Sequence, residues 1–233
     1  MVTLIRHGQA GSRQVYDDLS AIGHEQSRAL GEWFASRAIR FDAIITGGLN
    51  RQRRTANEMI AAMEAGGIAC PSPSIDERWS EFDLDAVYAG IGPLLAREDE
   101  RFRVEYEQLQ MEMADPESAA HRTWRHCDVW VVRAWIEERF EYEGETFAAF
   151  GARVREALLG LPAEGHVGVV TSATPIALSA GVTLDLAPRK VMQLAGAQRN
   201  TAFGELDLRP GDPRLVSFNN LPHLSEPELR TFR

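Results

Sequence analysis

The chain of 233 residues is 44% hydrophobic and 25% charged, enough for one globular domain, or one domain carrying a large insertion, with a real core. Lys and Arg number 25 against 34 Asp and Glu, a formal net charge of -9; this excludes nucleic acid and anionic membrane as partners through bulk charge, so any anion site must be a local concentration of arginine. Two cysteines, Cys70 and Cys127, make neither a disulfide framework nor a zinc site and read as free thiols in a reducing cytoplasm. No basic-then-apolar leader precedes Val2, and no apolar run approaches membrane-spanning length, so the expectation is a soluble, cytoplasmic protein.

Residues 2–5 are a short apolar run ending abruptly at Arg6, the pattern of a buried parallel strand entering a loop. Ser20 caps a predicted helix with Ile22, Ala29, Leu30, Trp33 and Phe34 on its apolar face. Residues 41–46 predict a second buried strand, after which Gly47-Gly48 leads into a helix over about 49–65, stopped by Gly66-Gly67. Residues 68–84 read as strand and loop. Residues 85–142 turn long, charged and helical, with expected interruptions at Pro93 and Pro116, and predict an inserted helical subdomain. A helix over 146–159 and a buried strand over 166–171 follow. Thr174 with Pro175 then signals a helix start, and Gly181 its end. Two last strands, 199–208 and 215–218, are joined through Pro210-Gly211-Asp212-Pro213.

Strands alternating with helices predict an α/β fold, three layers with a mostly parallel central sheet and helices on both faces. The whole chain, 1–233, reads as a single domain with a helical cap at about 85–142. Ligands of such sheets bind beyond the carboxyl ends of the strands. Three strand ends carry polar or special residues: Arg6-His7-Gly8, Thr46-Gly47-Gly48 and Thr171-Ser172. Arginine suits a phosphoryl group because its planar fork donates two parallel hydrogen bonds. Gly8 allows close approach of the backbone. A histidine beside fixed cations has its protonated form disfavoured and can attack phosphorus through a ring nitrogen. The strand, glycine pair and arginine-bearing helix start at 46–55, with Arg51, Arg53 and Arg54, form an anion site from helix amides plus guanidinium, although one or two of these arginines read as a solvated face. No metal-ligand cluster and no cofactor motif is present.

These stretches, with Asp76-Glu77-Arg78-Trp79-Ser80-Glu81-Phe82-Asp83, resemble the histidine phosphatase superfamily, the phosphoglycerate-mutase-like fold. Supporting matches are Tyr16-Asp17-Asp18-Leu19-Ser20 with Gly23 and Gln26, Gly144-Glu145-Thr146-Phe147 leading into Arg153-Val154, and the strand-helix unit at 166–178; the likeness runs from residue 3 to about 180. It implies that His7 is the nucleophile that becomes phosphohistidine, that Arg6 and Arg51 clamp the phosphate with Arg54 as a helper, and that a carboxylic acid serves the leaving group. Glu81 fits the phosphatase-like pattern for that acid and Glu77 the mutase-like one, with Glu81 preferred. The implied partner is a small phosphorylated substrate, and a homodimer is left open.

One position departs from the family pattern. Where the resemblance expects a second histidine after the late strand, the chain has Ser172, whose hydroxyl donates one hydrogen bond but brings no charge. Amides of the following helix or His223 are the candidates to compensate; His121 and His126 are candidates for the mouth of the site, and His24 reads as exposed. Ser172 lacks the Gly-x-Ser-x-Gly surroundings of a hydrolase nucleophile. The function expected is a phosphomonoester hydrolase acting through His7. The alternatives are a phosphate-ligand-binding protein with weak or no turnover and a mutase-like phosphotransferase. Trp124, Trp130 and Trp135 in the insertion are expected either to roof the site or to pack.

Overall fold

Residues 2–6 are all buried and form β1 (Val2–Arg6), next to the equally buried β4 (Val167–Thr171), as expected of strands covered on both faces. A computed structural model of the chain describes residues 1–11, 17–113, 115, 118, 126–209 and 212–232, which fall into two compact units. The first is built on residues 1–11, 17–81 and 153–232, and the second on described residues between 82 and 152. Tyr16, Pro116, His121, Trp124 and the Pro210-Gly211 link lie outside the described residues. Among those described there are six strands and eight helices, an α/β fold.

The first unit holds the sheet, in the order β3-β2-β4-β1-β5-β6, with β2 (Ala43–Thr46), β3 (Ser74–Ile75), β5 (Phe203–Arg209) and β6 (Asp212–Asn220). The strands β3, β2, β4 and β1 run parallel; β5 is antiparallel to β1, and β6 to β5. Side chains alternate across a strand, so Ile5, Ile44 and Val170 share one face. There they pack with Leu30 and Phe34 of α1 (Ala21–Ser36) and Ala56, Met59 and Met63 of α2 (Asn50–Ala65). Ser20 caps α1, its Oγ accepting the Gly23 N–H at 3.0 Å. On the other side α7 (Ala173–Leu184) touches β1, and Ala177 packs with Val191 and Ala195 of α8 (Pro188–Ala197).

Three expectations are corrected. The N-cap of α7 is Ser172, extended at φ -115 and ψ 175, not Thr174. Pro175 therefore stands at the third helical position, tolerated because the first four helix amides have no intrahelical acceptor. The helix also continues past Gly181 to Leu184 and stops where Asp185 turns left-handed, at φ 51. Pro93 does not interrupt its helix but lies inside α3 (Leu84–Glu98); the break comes at Asp99, whose carboxylate accepts the Arg101 and Phe102 amides and so starts α4 (Glu100–Met113). The sequence reading has no counterpart for α8, a short amphipathic helix whose buried positions are only Val191 and Ala195.

The second unit is helical: α3, α4, α5 (His126–Ile136) and the start of α6 (Phe147–Leu159), which continues into the first unit from Arg153. Trp135 is buried against Phe82, Phe147 and Phe150, and Trp130 stacks on Phe102, so both tryptophans pack within the unit. Cys70 and Cys127 are free thiols, and burial pushes both up from the ordinary thiol range.

The placement of α2 depends on how closely α1 approaches it. A Cβ on Gly31 would stand 2.2 Å from the Met59 carbonyl oxygen, a backbone atom that cannot swing aside. Gly31→Ala should therefore lower stability by about 1–3 kcal/mol despite alanine's better helix propensity, read as a fall in the urea midpoint.

Candidate active site

The site begins with register. In the parallel pair β1–β4, Arg6 lies opposite Thr171, and the His7 N–H donates to the Thr171 carbonyl at 2.8 Å. The next residue on each strand is His7 and Ser172, so these two come side by side at the carboxyl edge, with neighbouring strands roughly 4.8 Å apart. Beyond β1 the His7 carbonyl is held by the Asn200 side-chain amide at 3.2 Å and the Thr201 N–H at 3.3 Å. The backbone of His7 is thus tied on both sides.

Both ring nitrogens of His7 also have defined partners. Nδ1 is 2.7 Å from the Gly8 carbonyl oxygen, which can only accept, so Nδ1 carries the proton. Nε2 accepts from Arg51 Nε at 3.2 Å, which can only donate, so Nε2 is unprotonated. Burial first, then the charges of Arg51 and Arg6, holds His7 well below the usual imidazole range, with the Gly8 bond opposing weakly. A neutral imidazole with an unprotonated Nε2 is the state a phosphorus nucleophile requires.

The first turn of α2 supplies Arg51. Its guanidinium is buried and pairs with Asp17 at 3.2 Å through an outer nitrogen, while the Thr55 hydroxyl donates to the Arg51 backbone carbonyl at 2.8 Å. The same Thr55 oxygen accepts the Gly8 N–H at 2.9 Å. That commits the Gly8 amide to α2, and the missing side chain of Gly8 serves packing: a Cβ there would stand 2.5 Å from the Gly23 carbonyl oxygen. Arg6 is buried too, with a guanidinium nitrogen donating to the Gln198 carbonyl. Arg54 is half exposed and pairs with Asp18 at 2.8 Å, on the solvent side of the helix.

Ser172 is buried, and its Oγ accepts from Gln52 Nε2 at 2.8 Å. Glu81 reaches the same helix start, where its carboxylate accepts the Thr174 N–H at 3.2 Å. The segment that carries Glu81 is clamped by Arg153, which donates to the Arg78 and Ser80 carbonyls at 2.9 and 2.8 Å. Glu77 instead lies exposed in a 3-10 turn (Glu77–Trp79), where its carboxylate accepts from the Ser80 hydroxyl at 3.0 Å. His223 meets His7 only at one remove: its Nε2 bonds the hydroxyl of Thr201, the residue whose N–H holds the His7 carbonyl, at 2.9 Å, and its ring stacks on Phe203. His24 is half-buried and pairs with Glu58 at 2.7 Å, and His126 is exposed in the second unit.

The sequence reading named no role for Asp17, Gln52, Thr55 or Asn200. Gln52 and Thr55 stood inside the 46–55 stretch, and their spacing from Arg51 places them on its helix. Asn200 and Thr201 reach His7 only through the return of β5, which no local pattern announces. Among the described residues, no group of three or more His, Cys, Asp and Glu could hold a metal ion, and no helix is long and apolar enough to cross a membrane.

A family model for the histidine phosphatase superfamily (branch 1) matches residues 2–128 and 96–221. The chain belongs to that superfamily. Solved structures with the same fold include a phosphoserine phosphatase from Entamoeba histolytica in complex with 3-phosphoglyceric acid, at 16% identity over 95% of this chain and 98% of that one, with a TM-score of 0.60. A mycobacterial glucosyl-3-phosphoglycerate phosphatase is 20% identical over 94% of this chain and 97% of its own, with a TM-score of 0.56. Bacillus stearothermophilus YhfR is 16% identical over 96% and 99%, with a TM-score of 0.63. A search of curated proteins finds no match. At these identities the structural likeness speaks for the fold.

Burial holds His7 and His166 below the ordinary histidine range and pushes His223 down to about 4. As pH falls below about 6.5, the unfolded chain takes up protons at these positions that the folded chain refuses, so stability present above that pH is lost toward about 4. The urea midpoint should fall over that window, and His223→Gln should flatten the fall.

Proposed function

We propose that the chain is a phosphomonoester hydrolase that passes the phosphoryl group through His7. The observation that carries this reading is the fixed tautomer of His7: proton on Nδ1 toward Gly8, lone pair on Nε2 against Arg51. Nε2 attacks phosphorus as the ester P–O bond breaks, with the Arg6 and Arg51 guanidinium groups taking the charge on the phosphoryl oxygens. Glu81, bonded to the Thr174 N–H at the start of α7, gives its proton to the departing alkoxide. The resulting carboxylate then takes a proton from water as water attacks the phosphohistidine, releasing inorganic phosphate and restoring neutral His7. Family membership supports phosphoryl chemistry, and the phosphatases of like fold support a small phosphorylated substrate.

A second reading, phosphate binding with slow turnover, is favoured by one feature. The position next to His7 on β4 carries the neutral hydroxyl of Ser172, and a lost charged donor costs on the order of a hundredfold or more in rate.

With an aryl phosphate, rapid quench should trap acid-labile phosphate on the wild type and none on His7→Ala. Arg51→Ala should lower kcat/KM by roughly 100- to 1000-fold. Tight vanadate binding without turnover would select the second reading, and absence of both would overturn the two together.

The acid is tested separately. Glu81→Gln should lower kcat by about 100- to 10,000-fold with poor leaving groups and far less with nitrophenolate, which leaves without a proton. If Glu77→Gln is the more damaging variant, the acid is Glu77.

A further inference from the structure

Gln52 is fully buried, one residue beyond Arg51, and all of its amide atoms have assigned partners. Its Oε1 accepts the Leu49 N–H at 3.2 Å, and its Nε2 donates to the Trp79 carbonyl at 3.3 Å and to Ser172 Oγ at 2.8 Å. The Leu49 N–H can only donate and the Trp79 carbonyl can only accept, so the amide has one orientation, with the nitrogen toward Ser172. The Trp79 carbonyl is itself anchored by the Thr171 hydroxyl, which donates to it. Neither end of this chain of bonds can turn around.

The consequence falls on Ser172. A hydroxyl has one proton to give and lone pairs to receive. Because the bond from Gln52 occupies a lone pair, the proton of Ser172 remains to be donated elsewhere. Among the described residues Ser172 Oγ makes no other hydrogen bond, and it does not cap its own helix. A buried donor with no acceptor is costly, about 1–3 kcal/mol, and such sites are kept where a ligand supplies the missing partner. Ser172 directly follows Thr171, the residue whose carbonyl takes the His7 N–H, so a phosphoryl group at His7 is the acceptor the proposed reaction would offer this hydroxyl.

We propose that Gln52 is a positioning residue that holds Ser172 as a neutral hydrogen-bond donor to a phosphoryl oxygen. Consecutive residues of α2 then divide the work: Arg51 addresses His7 and supplies charge, and Gln52 addresses Ser172 and supplies orientation. The proposal rests on reading the site as a phosphoryl pocket. It locates the neutral side of that pocket in a matched pair, Gln52 with Ser172, rather than in Ser172 alone.

A double-mutant cycle tests it, using vanadate affinity and the KM and kcat for an aryl phosphate. Gln52→Met keeps the length and removes the donor. In the presence of Ser172 it should weaken vanadate binding about tenfold and lower kcat more than it changes KM. In a Ser172→Ala background the same change should have less than about a twofold effect, because the donor it orients is gone. An equal effect in both backgrounds would assign Gln52 a purely structural role, and no effect in the first would remove it from the site; either overturns the proposal. If Gln52→Met does not melt like the wild type, Gln52→Leu, which likewise removes the donor and adds no charge, is carried through the same cycle, with the same coupling to Ser172 required. If the wild type binds neither vanadate nor phosphate, the pocket reading itself fails; if it binds and the coupling is absent, only the assignment of Gln52 fails.

Discussion

The hydrogen bond from the His7 N–H to the Thr171 carbonyl closes the register of β1 on β4, and the remaining features of the site are arranged around it. It sets His7 and Ser172 at the ends of adjacent parallel strands, the edge where strand polarity opens toward ligands. The loop after β2 turns into α2 and brings Arg51 and Gln52 to that edge. The end of β4 turns into α7 and brings the Glu81 carboxylate to its first amides. A slip of one residue between β1 and β4 would put the two side chains on opposite faces of the sheet.

Electrostatics divides this edge into two halves. On the His7 half, two buried guanidinium groups stand close to one imidazole, with Asp17 as a partly exposed counter-charge to Arg51. Burying cations is expensive unless something offsets the desolvation, and here a neutral histidine, backbone carbonyls and one carboxylate share that task. Burial and the same cations keep His7 unprotonated, so the groups proposed to bind a phosphoryl group also favour the neutral imidazole that the proposed reaction needs. On the Ser172 half the hydrogen bonds that hold Ser172 are neutral: the Gln52 amide, the Ser172 and Thr171 hydroxyls and the Trp79 carbonyl. An acidic chain can therefore carry an anion pocket, because the cations are local and buried while the net charge of -9 belongs to the chain as a whole.

The boundaries that shifted did so for a common reason. Thr174-Pro175 is a strong helix-start signal in isolation, but the helix begins earlier because β4 releases Ser172 in an extended conformation directly at the sheet edge. That shift makes Ser172 the cap residue and leaves its side chain free of capping duty. Pro93 looked like a break, yet α3 passes through it and ends where Asp99 offers its carboxylate to the next helix. Local propensity marks where a helix can start or stop, and packing decides which of these positions is used.

The sequence by itself determined the order of strands and helices, the polar residues at three strand ends, and the pairing of Arg6-His7-Gly8 with an arginine-bearing helix start. These are written in short-range patterns: continuous apolar runs, helical spacing, glycine pairs and caps. Family membership was legible in the same residues. Tertiary structure alone decided which polar residues meet. Arg54 faces solvent and Asp18, His223 bonds the Thr201 hydroxyl, and Glu81 rather than Glu77 reaches the start of α7. It also showed that Asn200, nearly two hundred residues along the chain, holds the His7 carbonyl, and that Gln52 holds Ser172. Such contacts depend on strand register and helix approach over long sequence separations. No local period encodes them, because a hydrogen bond requires two groups within a few ångströms and in one orientation, and only the folded chain fixes both.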